Sequence, residues 1–180
     1  MSDRRLDIGK AVLERCFELA VTGAVDAAAL GEGWPVEPGA CSRDATGNAE
    51  MLHFAPGRWL LPAPSPQLLA RVSDRPGVEC IDVEGKWQRR LLRGDRALRA
   101  LAAGADVEAM LANRGCAAMS LFECPVIVAC HGGRNDNARG GFGGDALDLW
   151  VPSSYATFLD EQLAAADAVA NQAPSPGTIP

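Results

Sequence analysis

The stretch VECIDVEGKWQRRLLRGDRALRALAAG, residues 78–104, decides the fold class. Val78 to Val83 carries β-branched residues and predicts a strand. Glu84-Gly85-Lys86 predicts a turn, and Trp87 to Arg93 its partner strand. Gly94-Asp95 opens a helix with an apolar stripe of Ala97, Leu98, Leu101 and Ala102, and Gly104 stops it. Two strands joined by a short turn and followed by a helix point to an α+β class: antiparallel strands with flanking helices, not a doubly wound sheet.

The same grammar continues downstream. A short helix is predicted from Val107 to Ala112, then strands at Ala117–Leu121 and Val126–Cys130. Pro125 fits at a strand start, where no ladder N–H is required. Residues 131–144, HGGRNDNARGGFGG, hold six glycines and predict a mobile hairpin loop. Ala146 to Val151 is the returning strand. Pro152 and Ser153 or Ser154 introduce a helix to about Ala170, with Tyr155, Phe158, Leu159 and Leu163 on its buried face.

Upstream, Glu50–Phe54 and Trp59–Leu61 predict two strands around the turn APGR (55–58). Ser65 caps a helix with Pro66 at its first position, through Val72. Residues 34–48 read as a loop. Residues 5–20 show Leu6, Val12, Leu13, Cys16, Phe17 and Ala20 at three- and four-residue steps, which predicts a helix. The expected organisation is one domain over 1–170, with a helical N-terminal segment in 1–30 and a disordered tail at 171–180.

Composition excludes several classes. The chain has 180 residues, 48% apolar and 22% charged, enough for a globular core. Its 17 Lys+Arg against 23 Asp+Glu give a net charge of −6, which argues against a dedicated nucleic-acid binder. No run approaches the roughly 20 apolar residues of a membrane helix. The start MSDRRLDIGK has charges and no apolar h-region, and with no disulfide spacing among the six cysteines this predicts a cytoplasmic protein with free thiols.

Candidate chemistry is sparse. There are two histidines: His53 lies inside an apolar strand, and His131 borders the glycine loop. Cys116, Cys124, Cys130 and His131 form the tightest ligand-type group, yet their spacings match no common zinc signature. The glycine loop, with Arg134 and Arg139, lacks a phosphate-binding motif. Ser120 lies in no nucleophile motif. Among the carboxylates Asp82, Glu84, Asp95 and Asp106, Asp82 stands out at a strand end, where it can hold a turn by accepting backbone N–H groups. Lys86, Arg89, Arg90 and Arg93 surround Trp87. Alternation places Arg89 and Arg93 on the face of Trp87 and Arg90 opposite. No catalytic, cofactor-binding or metal residue is expected.

In this order, GEGWPVEPG (31–39), APGRWLLPAP (55–64), CIDVEGKWQRRLLRGDRALRALAAG (80–104), NRGCAAMSLFECPVIVAC (113–130) and DLWVPSSYATFLDEQL (148–163) resemble the gamma subunit of heterotetrameric sarcosine oxidase. The resemblance spans roughly residues 31–166 and rests on the ordered set. Ser120 stands where a threonine is common, Ser153 where an arginine is common, and the glycine loop is longer. A divergent relative serving an N-methylglutamate dehydrogenase or another N-methyl amine demethylase is therefore compatible with these departures.

The resemblance implies a fold similar to the folate-binding aminomethyltransferase of glycine cleavage. It implies a non-catalytic structural subunit of a flavin-dependent oxidoreductase that demethylates sarcosine or a related compound. FAD, FMN, NAD, tetrahydrofolate and zinc would sit in alpha, beta and delta partner subunits, where the one-carbon unit passes to tetrahydrofolate. Trp59, Trp87, Arg89, Arg93, Trp150 and Tyr155 are the candidate packing or subunit-contact residues. The alternatives are a free-standing folate-binding protein using Asp82, and a Cys/His metal or thiol site.

Overall fold

The computed structural model describes residues 7–9, 12–13, 15–21, 34–43, 49–93, 97–111, 114–130 and 146–172. Ten strands run through them: β1 Asp7–Ile8, β2 Cys16–Val21, β3 Cys41–Arg43, β4 Ala49–Ala55, β5 Arg58–Pro62, β6 Val78–Asp82, β7 Trp87–Arg93, β8 Cys116–Leu121, β9 Cys124–Cys130 and β10 Ala146–Pro152. The helices are α1 Pro66–Ser73, α2 Ala97–Ala102, α3 Val107–Leu111 and α4 Ala156–Gln172, the last preceded by a 3₁₀ turn at Ser153–Tyr155. The α+β class expected from the sequence is the class observed.

The strands form two antiparallel five-stranded sheets. The first runs β1-β7-β10-β9-β8, the second β3-β4-β5-β2-β6. Alternation along each strand separates three apolar layers. Leu92, Val126, Val128, Leu147, Leu149 and Val151 turn from the first sheet toward Leu101, Leu159 and Leu163 of the helices. Trp87, Ile127, Ala129 and Trp150 turn the other way, against Cys16, Leu52 and Leu60 of the second sheet. Phe17, Leu19, Met51, Trp59 and Leu61 then face Leu68 and Val72 of α1, with Trp34. The order is helices, sheet, sheet, helix.

Both central sheets are thus covered on two faces, and this explains an error in the sequence reading. The helix expected over 5–20 is not present at the described positions: Cys16–Val21 is a strand between β5 and β6. A strand buried on both sides loses its alternation and shows a continuous apolar run, which three- and four-residue spacing also fits.

The turn at 84–86 forms, with the Lys86 N–H donating to the Val83 carbonyl at 3.0 Å and Gly85 at φ +75°. The hairpin expected around it does not. β6 pairs with β2 in the second sheet, while β7 pairs with β1 and β10 in the first. The two strands occupy different environments. β6 is an edge strand with Glu79, Ile81 and Asp82 exposed, and β7 lies inside its sheet with Trp87, Arg90 and Leu92 buried. Ser153 N–H donates to the Lys86 carbonyl at 2.8 Å and anchors the crossing.

Other local expectations hold. Ser65 caps α1 by accepting from Leu68 N–H at 3.1 Å, with Pro66 in the first turn. The Gly104 and Ala105 N–H groups donate to the Leu101 carbonyl and end α2. β8 and β9 form a two-residue hairpin at Phe122-Glu123, both with left-handed φ (49° and 66°). That geometry matches strand twist but normally selects Gly or Asn. Here the Phe122 ring covers Gly104, where a Cβ would lie 3.0 Å from it. The glycine loop and residues 173–180 lie outside the described residues, whereas Asn171 and Gln172, expected in the disordered tail, are the last residues of α4; β9 and β10 pair around the loop. Among the described residues no helix is long and apolar enough to cross a membrane.

Candidate functional site

The layer between the sheets contains more charge than the sequence suggested. Glu18 of β2 is 4% exposed. It accepts from Trp87 Nε1 at 3.0 Å, from Lys86 Nζ, and from Arg58 at 2.7 Å. Burial alone would raise its pKa. The Lys86 and Trp87 hydrogen bonds and the Lys86 and Arg58 charges outweigh that and hold the carboxyl below its ordinary range.

A second buried charge, Asp148 of β10, is fully enclosed. Arg89 Nε donates to it at 2.8 Å and lies over the Trp150 ring. On the opposite face Arg90 forms a two-pronged pair with Asp160 of α4, at 2.9 and 2.8 Å. Arg89 and Arg90 therefore lie on opposite faces of WQRRLLR as read from alternation: Arg89 ties β7 to β10 within the sheet, and Arg90 ties it to α4. Neither Glu18 nor Asp148 was singled out from the sequence. The available signal was an acid inside an apolar run, CFELAV and ALDLWV.

Asp82 sits at the end of β6 with its carboxylate engaged. Arg15 donates to it at 2.7 Å, and one oxygen accepts the Glu84 N–H at 3.0 Å. The Arg15 hydrogen bond holds its pKa below the ordinary range. This is the turn-holding arrangement expected of a carboxylate at a strand end.

His53 is 3% exposed and stacks on Trp59, ring centroids 4.2 Å apart, with Trp34 edge-on to Trp59 at 5.5 Å. Neither ring nitrogen of His53 makes a hydrogen bond of normal geometry among the described residues. Burial lowers its pKa, opposed in part by backbone groups of Glu37, Ala55, Pro35 and Val36. The imidazole is thus a neutral core ring.

Of the cysteine group read from the sequence, Cys116 and Cys130 come near each other and Cys124 stands apart. Cys116 lies opposite Ala129, and Cys124 closes the far end of the same hairpin opposite Leu121. His131, Arg134 and Arg139 lie outside the described residues. Cys41, which the sequence reading left aside, also comes beside Cys116. Burial pushes the Cys116 thiol up to about 12 and also raises Cys130. Among the described residues no three His, Cys, Asp or Glu side chains converge as metal ligands.

The contact candidates divide by burial. Trp59, Trp87 and Trp150 are 3%, 8% and 1% exposed, so they pack this chain's own core. Arg89 is largely covered, Arg93 is exposed, and Tyr155 is 43% exposed. Phe158, expected on the buried face of α4, is 46% exposed, as Tyr155 is beside it. The 3₁₀ turn delays the start of α4 to Ala156, and the buried stripe becomes Ala156, Leu159 and Leu163.

No family model matches the chain, and no curated protein matches it in sequence. A solved structure does match: a chain of heterotetrameric sarcosine oxidase from Corynebacterium sp. U-96, in a complex with pyrrole 2-carboxylate. The two share 21% identity and superpose with a TM-score of 0.70, over 97% of this chain and 90% of that one. The ordered segments and the backbone agree: this chain has the fold of a chain of heterotetrameric sarcosine oxidase.

Proposed function

We propose that this protein is a structural, non-catalytic subunit of a multi-subunit flavin-dependent oxidoreductase that demethylates sarcosine or a related N-methyl amino acid or amine. The observation that carries this is the whole-chain likeness to a chain of a heterotetrameric oxidase, with no large segment of either left over. The site chemistry is in keeping with it. Glu18, Asp82, Asp148 and Asp160 are each committed to cations of the same chain. Charges used this way tie strands within a sheet and, through Lys86–Glu18 and Arg90–Asp160, one layer to the next.

In this proposal alpha, beta and delta subunits hold FAD, FMN, NAD, tetrahydrofolate and zinc, and the one-carbon unit is passed to tetrahydrofolate there, in the cytoplasm. Tyr155, Phe158 and Arg93 are the surface residues best suited to a partner. Co-expression with the large flavoprotein chains and a small zinc-binding chain tests the idea. The expected result is one complex, identified by mass spectrometry of its chains, that oxidises an N-methyl substrate. Oxidation of sarcosine by the isolated chain, or its elution alone from the co-expressed mixture, would overturn the proposal. Calorimetry of the isolated chain with tetrahydrofolate is expected to show no binding.

A further inference from the structure

The edges of the two sheets meet at Gly39 and Gly115. The Gly39 carbonyl accepts from both Gly115 N–H (2.8 Å) and Cys116 N–H (2.9 Å), clipping the start of β8 to the segment that enters β3. A cysteine follows closely on each side of this clip. The Cys41 sulfur fills the space over Gly115, where a Cβ would lie 2.6 Å from it and 3.6 Å from the Cys41 Cβ. The Cys116 sulfhydryl reaches the Ala40 carbonyl at 3.4 Å. Each sulfur therefore lies against the residue that precedes the other cysteine.

Both thiols belong to the layer between the sheets, Cys116 fully buried and Cys41 partly open. The Gly39 clip and these reciprocal contacts hold the two residues beside each other, the closeness a disulfide needs. Cys130 is near in space but packs on the helix side of the first sheet. Arg114 lies along Gly39, and both Arg43 and Arg114 bring positive charge toward Cys116. That charge eases ionisation of Cys116 only in part, because burial outweighs it.

We propose that Cys41 and Cys116 are a redox pair which a hydroperoxide converts into a disulfide, bolting the edge of one sheet to the edge of the other. Cys41, the accessible thiol, attacks the peroxide. An S–O bond forms, the O–O bond breaks, and the second oxygen leaves as water or an alcohol. Cys116 then attacks the Cys41 sulfenic acid. The S–S bond forms, the S–O bond breaks, and the hydroxyl leaves as water with the Cys116 proton. Two thiols lose two electrons and the peroxide gains them. Since Cys116 is held as a thiol, the second step is slow at neutral pH and quickens as pH rises. The proposal rests on this chain's own geometry and is independent of the subunit assignment.

The test is hydrogen peroxide added to the purified full chain, followed by alkylation, digestion and mass spectrometry without reductant. The expected product is a Cys41–Cys116 linked peptide, two hydrogens lighter than its halves, that dithiothreitol reverses. Linkage should raise Tm on the order of 10 °C, because it closes a long loop. Cys130→Ser should retain the link, and Cys116→Ser should leave a Cys41 sulfenic acid that dimedone traps. A link through Cys130, a sulfenic acid on Cys116 with Cys41 untouched, or Cys41 that stays oxidised with Cys116 free after long incubation at pH 9 would each overturn the proposal. So would a Cys41 that does not react. The peptide map of the unmodified sequence decides this without depending on how the variants fold.

Discussion

Trp87 Nε1 donates to Glu18 Oε1 at 3.0 Å across the space between the two sheets. This bond joins β7 to β2, strands of different sheets, at the point where the chain crosses from one sheet to the other. Replacing Glu18 with Ala leaves a buried indole N–H unpaired and should cost about 1–3 kcal/mol in urea unfolding. The figure is discounted because Lys86 and Arg58 are half exposed. Glu18→Gln keeps an acceptor and should cost less. The Glu18 carboxyl has a lowered folded-state pKa. Its contribution should be complete above about pH 4.3 and vanish as pH falls through the folded value.

Asp148 is enclosed and paired with Arg89. Asp148→Ala removes the counter-charge from a largely covered guanidinium and should cost roughly 3–5 kcal/mol. Asp148→Asn should fall between that variant and the parent. Chemical denaturation of the three proteins side by side checks the ranking.

His53 is buried and neutral, with its pKa lowered chiefly by burial. The unfolded imidazole takes a proton near pH 6.5, before the folded one does. Stability should therefore decline as pH falls below about 6.5, and stop declining once the folded pKa is passed. His53→Phe preserves a ring against Trp59 and should flatten this part of the profile. Thermal unfolding between pH 5 and 8 supplies the comparison.

Gly115 has no room for a Cβ beside the Cys41 sulfur. Gly115→Ala should destabilise by about 1–3 kcal/mol through overpacking. Adding Cys41→Ala removes the obstructing sulfur and should restore much of the loss. Strict additivity in this double-mutant cycle would show that the two residues do not press on each other.

Tyr155 and Phe158 stand three residues apart on the outside of α4 and its leading turn, both more than 40% exposed. Changing both to Ser should alter stability by no more than about 0.5 kcal/mol, as expected of surface positions. Within a co-expressed complex the same change should weaken retention of this chain on size-exclusion chromatography.

Legibility in the sequence followed environment. The Ser65-Pro66 start of α1 and the Gly104 stop of α2 are set by local chemistry, and local patterns found them. β2 was misread because Cys16 to Leu19 are all buried, Glu18 included, which removes the polar alternation that marks a strand. The β6–β7 pairing was misassigned because a turn specifies a reversal, not the sheet in which the next strand lands. The Cys41–Cys116 proximity had no sequence trace, since it arises where the two sheet edges meet.

The strands of the second sheet, β2 to β6, are consecutive in the chain, whereas β1 pairs with β7, Asp7 facing Arg93. On a ribosome, the second sheet is complete before any partner of β1 exists. At roughly 5–20 residues per second, β1 waits on the order of ten seconds for β7. β1 is thus fitted late, and its docking reports that synthesis has reached the other sheet.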